Sequence, residues 1–303
     1  MKTILLSFIG FVFGAAVLSA QEGQTAAPAA PAAAETADAM QMARDSEFGQ
    51  VIVNCTVDGV PMRMLLDTGA THTVVDRSVA AEKLPNAFQL DTSGMQITGN
   101  AEGLKPEILV VKFGVAGKTR PQHPVLSLPL DGVRAMLRHP VDGILGMDVL
   151  CHLPFTLDFR EGGVSHWGAD EDGHVHPLQA RPDQGGCPLV SLRIGEKVLE
   201  NVLLDSGSTT TIFAPSDWPA GVGETNKAMV ADVNGRREVE ILFGKPAPVE
   251  LAVGLVRELS PQLQEGVNRS SASAILGIES LIGLRLVYHP EQGFFLLSDP
   301  QTR

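Results

Sequence analysis

Apolar residues in this chain fall into short runs bounded by turn formers, not into stripes three and four residues apart. Two stretches, Phe155-Thr156-Leu157-Asp158-Phe159 and Leu284-Arg285-Leu286-Val287-Tyr288, alternate in character, and each leads into a Gly-containing turn and another apolar stretch. That is the period of two expected of strands. Helical spacing is confined to two short candidates, Arg77–Lys83 and 133–138. Glycine and proline occupy 31 and 20 of 303 positions while aromatics make up 5%, a balance that places many turns between short strands. The pattern predicts an all-β chain.

The N-terminal end departs from this pattern. Met1-Lys2-Thr3 precedes an unbroken weakly polar run over 4–17 and then Leu18-Ser19-Ala20, the charged, apolar and small-residue order of a secretory signal peptide, assigned to 1–20 with cleavage after Ala20. The run is short for a membrane span, which needs about 20 residues. The mature chain is therefore expected to be exported, periplasmic or secreted, without a membrane span. Residues 21–46 are Ala- and Pro-rich and read as a disordered tether.

Beyond the tether the chain repeats itself. Met64-Leu65-Leu66-Asp67-Thr68-Gly69-Ala70-Thr71 returns as Val202-Leu203-Leu204-Asp205-Ser206-Gly207-Ser208-Thr209, and Gly143-Ile144-Leu145-Gly146 returns as Ala274-Ile275-Leu276-Gly277. Asp67 and Gly146 are 79 residues apart, Asp205 and Gly277 are 72 apart, and the order is the same both times. Two copies of one module follow, at 47–165 and 187–300, joined by a linker at 166–186 rich in Gly, Asp, His and Pro. Asp91-Thr92-Ser93-Gly94 lacks the aliphatic lead-in and has an extra residue before Gly, so it reads as an ordinary turn.

An apolar strand that ends in Asp-Thr/Ser-Gly delivers a carboxylate to the mouth of a tight turn, where Gly permits a backbone geometry that a side chain would forbid. If two such loops face each other, the carboxyls can share one proton, because like charges that close cannot both ionise cheaply. One is then base and the other acid, able to activate a water against a carbonyl without a covalent adduct.

These residues resemble the aspartic peptidases, and among them the retropepsin-like group. Leu66-Asp67-Thr68-Gly69-Ala70 with Thr73-Val74-Val75-Asp76 is similar to the retroviral active-site strand. Ile144-Leu145-Gly146 and Ile275-Leu276-Gly277 are similar to the strand that threads beneath the catalytic loop. The resemblance implies two β-barrel lobes related by internal duplication, with the active site between them, in a single chain expected to act as a monomer, with a dimer that pairs copies between chains as the alternative. It implies Asp67 and Asp205 as catalytic residues, Thr68, Gly69, Ser206, Gly207 and Ser208 as supports of the two loops, and Thr71, His72, Thr209 and Thr210 as substrate-pocket candidates. The substrate would be a peptide or protein and the nucleophile water, so no cofactor is called for. A hydroxyl beside Asp205, on Ser208, has no counterpart at Ala70, which predicts that Asp67 carries the shared proton more often. Flap hairpins are expected at 95–103 and at 231–237, where Asn234-Gly235 is a strong turn pair. The only tyrosine, Tyr288, is too near the C-terminus to be a flap residue, and Met147 and Ile278 stand where retroviral enzymes carry an Arg. A catalytically silent peptide-binding protein on the same fold is the alternative.

Charge and motif content narrow the remaining classes. With 35 acidic against 23 basic residues and a net charge of −12, phosphate-led binding of nucleic acid is not expected. Cys55, Cys151 and Cys187 make neither a disulfide framework nor a zinc pattern. Cys55 and Cys151 read as core residues, and Cys187, beside Gly185-Gly186, as exposed. His166, His174 and His176 with Asp170, Glu171 and Asp172 read as a solvated linker and not as a metal site. No serine-hydrolase, zinc-peptidase or nucleotide motif is present.

Overall fold

A two-residue turn at Asp58-Gly59, with φ of 51° and 80°, joins Val51–Val57 to Val60–Leu66 in a hairpin that pairs Val57 with Val60. Asp-Gly with both φ positive gives the tight turn whose twist matches that of the strands it joins. The second copy also turns in two residues, with Pro188–Ile194 and Lys197–Leu204 pairing Ile194 with Lys197 around Gly195-Glu196, where Gly195 alone has a positive φ, 61°. The computed structural model describes residues 4–6, 42–44, 49–92, 107–135, 137, 140–232, 235–264 and 272–299.

In each copy a three-residue apolar strand threads between the two strands that flank the Asp loop. Gly143–Leu145 lies parallel to Val60–Leu66 and antiparallel to Val74–Asp76, and Ala274–Leu276 lies parallel to Lys197–Leu204 and antiparallel to Ile212–Phe213. Burial on both faces explains why these strands read as continuous Ile-Leu. In the first copy Val74–Asp76 also pairs with Lys118–Leu128, which pairs with Glu107–Val115, which returns to Val51–Val57. Six strands are thereby closed into a barrel. The second copy is a more open curl, edged by the long hairpin Val222–Asp232 and Gly235–Gly244. The molecule is mostly β, as the sequence pattern predicts, with two barrel lobes, one closed and one half-open, as the resemblance implies. The hairpin comes against the helix Asp131–Arg134 of the first lobe and so bridges the two copies. Gly235 already lies in its second strand, opposite Asp232. The other flap candidate, 95–103, lies outside the described residues.

A third sheet ties the lobes together at their base, in the order His166–Trp167, Phe155–Asp158, Arg285–His289, Gly293–Ser298, His174–Pro177. The connecting segment is thus not simply solvated. Trp167 and His176 are buried, His166 and Asp170 pair at 3.0 Å, and Arg285 reaches Asp170 at 2.5 Å. Tyr288 serves this sheet, its hydroxyl donating to the Cys151 carbonyl at 3.0 Å. One apolar core runs through both lobes and the basal sheet. Met42, from the segment read as tether, is buried, and its amide donates to the Ser165 carbonyl. Signal-segment residues other than 4–6 lie outside the described residues. Among the described residues no helix is long and apolar enough to cross a membrane.

Two local expectations change. Cys187 is buried, because the Asp183 carboxylate takes the amides of Gly185 and Cys187 and folds that Gly-Gly turn inward, while Cys151 is only half buried. The helix expected over 133–138 is instead Asp131–Arg134, and Arg77–Lys83 forms as expected.

Asp76 caps Arg77–Lys83 and holds more than the helix. Its buried carboxylate accepts from Ser78 N, Ser78 Oγ and Val79 N through Oδ1, from Leu130 N at 2.8 Å through Oδ2, and pairs with Arg134 at 3.1 Å. Burial alone would raise this carboxyl, but the Ser78 hydroxyl, the Leu130 and Val79 amides and the Arg134 guanidinium together hold it below the usual range. A depressed folded-state value stabilises the protein above the unfolded value, near 3.9, and that contribution is lost as pH falls through the folded one. Asp76→Asn, which turns an amide toward the Leu130 N–H, is expected to cost roughly 2–4 kcal/mol at pH 7 and clearly less at pH 3. Urea unfolding at the two pH values checks this, and an equal cost at both would disprove the charge-based account.

Candidate active site

Each Asp is delivered by a strand end and locked to the threading strand behind it. The amide of Asp67 donates to Leu145 O and that of Asp205 to Leu276 O, both at 3.0 Å. One residue past those strands Gly146 and Gly277 touch the opposite arm of the loop. A Cβ on Gly146 would lie 2.6 Å from the His72 carbonyl, and one on Gly277 2.4 Å from that of Thr210. The Gly of each Ile-Leu-Gly triplet is therefore required by close approach of backbone. Met147 and Ile278, where an Arg stands in retroviral enzymes, are buried in the common core.

The two loops meet across the lobes through a reciprocal set of hydrogen bonds. Thr68 N donates to Ser206 Oγ at 3.0 Å and Ser206 N to Thr68 Oγ1 at 3.0 Å. The hydroxyls then pass their own protons into the facing lobe, Thr68 Oγ1 to Leu204 O at 2.7 Å and Ser206 Oγ to Leu66 O at 3.1 Å. All these partners are buried. Thr68-Gly69 and Ser206-Gly207 thus lie against each other across the lobes.

Both carboxylates are buried, and each lies over the other loop. A Cβ on Gly69 would sit 2.4 Å from Asp205 Cγ, and one on Gly207 2.5 Å from Asp67 Cγ. No side chain larger than hydrogen fits at either place. Asp67 Oδ1 accepts from Gly69 N at 2.8 Å, and Asp205 Oδ1 accepts from both Gly207 N and Ser208 N at 2.9 Å. The Ser208 hydroxyl, expected to face Asp205, gives its single proton to Thr210 O at 2.8 Å instead. Ser208 thus donates to Asp205 through its backbone and not through its side chain.

Around this centre the pocket candidates divide. His72 and Thr209 are half buried, whereas Thr71 and Thr210 are buried. Thr71 packs its methyl against Gly185, where a Cβ would be 2.2 Å away, and its hydroxyl bonds His72 Nδ1 at 2.8 Å. Burial lowers the His72 imidazole below its ordinary value, partly offset by Asp148.

Sequence reasoning missed a second ring of supports. Thr73 and Thr211, each six residues past its Asp, accept the amides of Gly146 and Gly277 at 3.3 and 3.1 Å. Two residues past those glycines, Asp148 accepts the Thr73 hydroxyl and Glu279 accepts the Thr211 amide. Both pairs follow from carrying the repeat a few positions further. Gln50 was also missed: its Nε2 donates to Gly207 O at 2.7 Å from the opposite lobe. No motif announces it. Among the described residues no cluster of three or more His, Cys, Asp or Glu could hold a metal ion.

Residues 53–149 match the family model described as aspartyl protease. The match takes in Asp67, its loop and the threading strand, and it ends before the second copy. No curated protein matches the chain.

Proposed function

We propose that this chain is an exported aspartic endopeptidase that hydrolyses peptide bonds with a water activated between Asp67 and Asp205, one from each lobe. The observation that carries the reading is the reciprocal seating of the two carboxylates, each against the other loop's glycine and locked by Thr68 and Ser206. The aspartyl protease match over 53–149 supports the same chemistry for the first copy. The ionised member takes a proton from water as its oxygen attacks the scissile carbonyl carbon, while the protonated member gives its proton to the carbonyl oxygen. The carboxyl that took the water's proton then gives it to the amide nitrogen while its partner takes a proton from a gem-diol hydroxyl, which breaks the C–N bond and restores the dyad. Both halves lie in one chain, so a monomer is the working unit.

An extended substrate would enter as an added strand beneath the hairpin Val222–Asp232 and Gly235–Gly244, with alternate side chains directed toward the lobes. His72 and Thr209, half open beside the loops, are the residues that would meet them. The test is incubation of the mature chain with an unstructured peptide library at mildly acidic and neutral pH, with new termini read by mass spectrometry. Reproducible new termini sharing a side-chain preference are expected. A library that stays intact at both pH values while peptides are still retained would leave a binding protein in place of a peptidase.

A further inference from the structure

We infer that Gln50 is a positioning residue of the proposed dyad, acting across the lobes through one peptide unit to favour the charged form of Asp205. The inference rests on the peptidase reading for its consequence in catalysis, but not for its electrostatics.

Gln50 sits one residue before Val51–Val57, fully buried, and its Nε2 donates to the carbonyl of Gly207 at 2.7 Å. A carbonyl only accepts, so the amide end facing it is the NH2 end. The same peptide group carries the Ser208 N–H, which donates to Asp205 Oδ1 at 2.9 Å. The three groups form a line: Gln50 N–H to Gly207 C=O, and Ser208 N–H to the carboxylate. A hydrogen bond received at a carbonyl polarises the amide and strengthens what its N–H gives, most of all in a buried setting. It also fixes the peptide plane, so that the N–H stays aimed at the carboxylate. Both effects favour the charged form of Asp205.

The first copy is built differently at this point. The residue one before Pro188–Ile194, in the place Gln50 holds before Val51–Val57, is Cys187, whose thiol is a weak donor. The lobes thus differ in the side chain that stands before that strand, a primary amide in one and a thiol in the other. Gln50 also bears a cost: its Oε1 is buried with no hydrogen-bond partner among the described residues. A buried polar atom in that state is destabilising, and an apolar residue would avoid it, so packing alone does not account for a glutamine here. The titratable groups on the two loops and the segments bonded to them are Asp67, His72 and Asp148 in the first copy and Glu279, held by the Thr211 amide, in the second. None is altered by changing Gln50.

The test is Gln50→Leu, with Gln50→Met as a second donor-free variant should Leu not fold. Carbon-13 carboxyl titration of Asp205 by NMR is read first, because it does not depend on turnover. The midpoint of Asp205 is expected to rise by about 0.5–1 pH unit, roughly a three- to tenfold change in proton affinity. Where cleavage is measurable, the acidic limb of kcat/KM moves up by the same amount and kcat falls severalfold with KM little changed. A folded donor-free variant whose Asp205 midpoint and acidic limb stay in place overturns the inference, even if its activity is reduced. Wild-type chain that cleaves nothing would end the peptidase reading, and the NMR titration would still decide the relay.

Discussion

Asp67→Asn and Asp205→Asn are each expected to reduce peptide cleavage by at least about 10³-fold while leaving the chain folded, which is the scale of removing an essential acid or base. Asn keeps the size of the side chain and the oxygen that accepts from Gly69 N in one loop, or from Gly207 N and Ser208 N in the other, so loop geometry is retained. What is lost is the ability to take or give a proton. Replacing one of two buried carboxyls by a neutral amide also removes the cost of keeping an ionisable pair out of water, so thermal melting should hold steady or move upward in both variants. That combination separates chemistry from structure: a support residue loses activity and stability together, whereas these two should lose activity alone. Kinetics on a cleavable peptide and a melting curve on the same sample check it. If either variant keeps more than a tenth of wild-type turnover, the pairing of carboxyls across the lobes is wrong. If only Asp67 matters, the second lobe is a support and the active unit must be sought elsewhere, for example in two copies of the first lobe.

The centre of the site was legible because its elements are local in sequence and occur twice. Leu-Leu-Asp-Thr/Ser-Gly encodes a strand, a turn and a carboxylate within five residues, and Ile-Leu-Gly encodes a strand buried on both faces followed by a close approach. The rest is set by partners far away in the chain. His174–Pro177 is a strand only because Gly293–Ser298 lies beside it, and nothing within a Gly-, Asp- and His-rich segment signals that distant edge. Asp183 reverses the expected exposure of Cys187 by a turn whose donors are backbone amides, which composition does not reveal. The Ser208 hydroxyl illustrates the limit of reasoning from neighbours: proximity to Asp205 was read correctly, but a carbonyl two residues on, Thr210 O, competes for the same proton. Gln50 lies outside the repeat's motifs altogether, and its role depends on a contact with the other copy.

Thr68→Val and Ser206→Ala are the substitutions expected to cost most in stability. Each hydroxyl accepts one buried amide and satisfies one buried carbonyl. Thr68→Val leaves Ser206 N and Leu204 O without their partners, and Ser206→Ala does the same to Thr68 N and Leu66 O. At about 1–3 kcal/mol for each buried backbone group left unsatisfied, either change should cost roughly 2–6 kcal/mol, a large part of the 5–15 kcal/mol typical of a folded domain. The two losses should not add. Thr68 and Ser206 belong to one network, so the double variant is expected to lose less than the sum, with a coupling of about 1–3 kcal/mol from a double-mutant cycle in urea. Because these bonds join the lobes, their removal should also weaken cooperativity, and fluorescence of Trp167, in the basal sheet, should part from that of Trp218, in the second lobe. A loss below about 1 kcal/mol in both single variants, with coincident transitions, would mean that the lobes are held by the basal sheet and the shared core, and that the loop-to-loop bonds only aim the carboxylates.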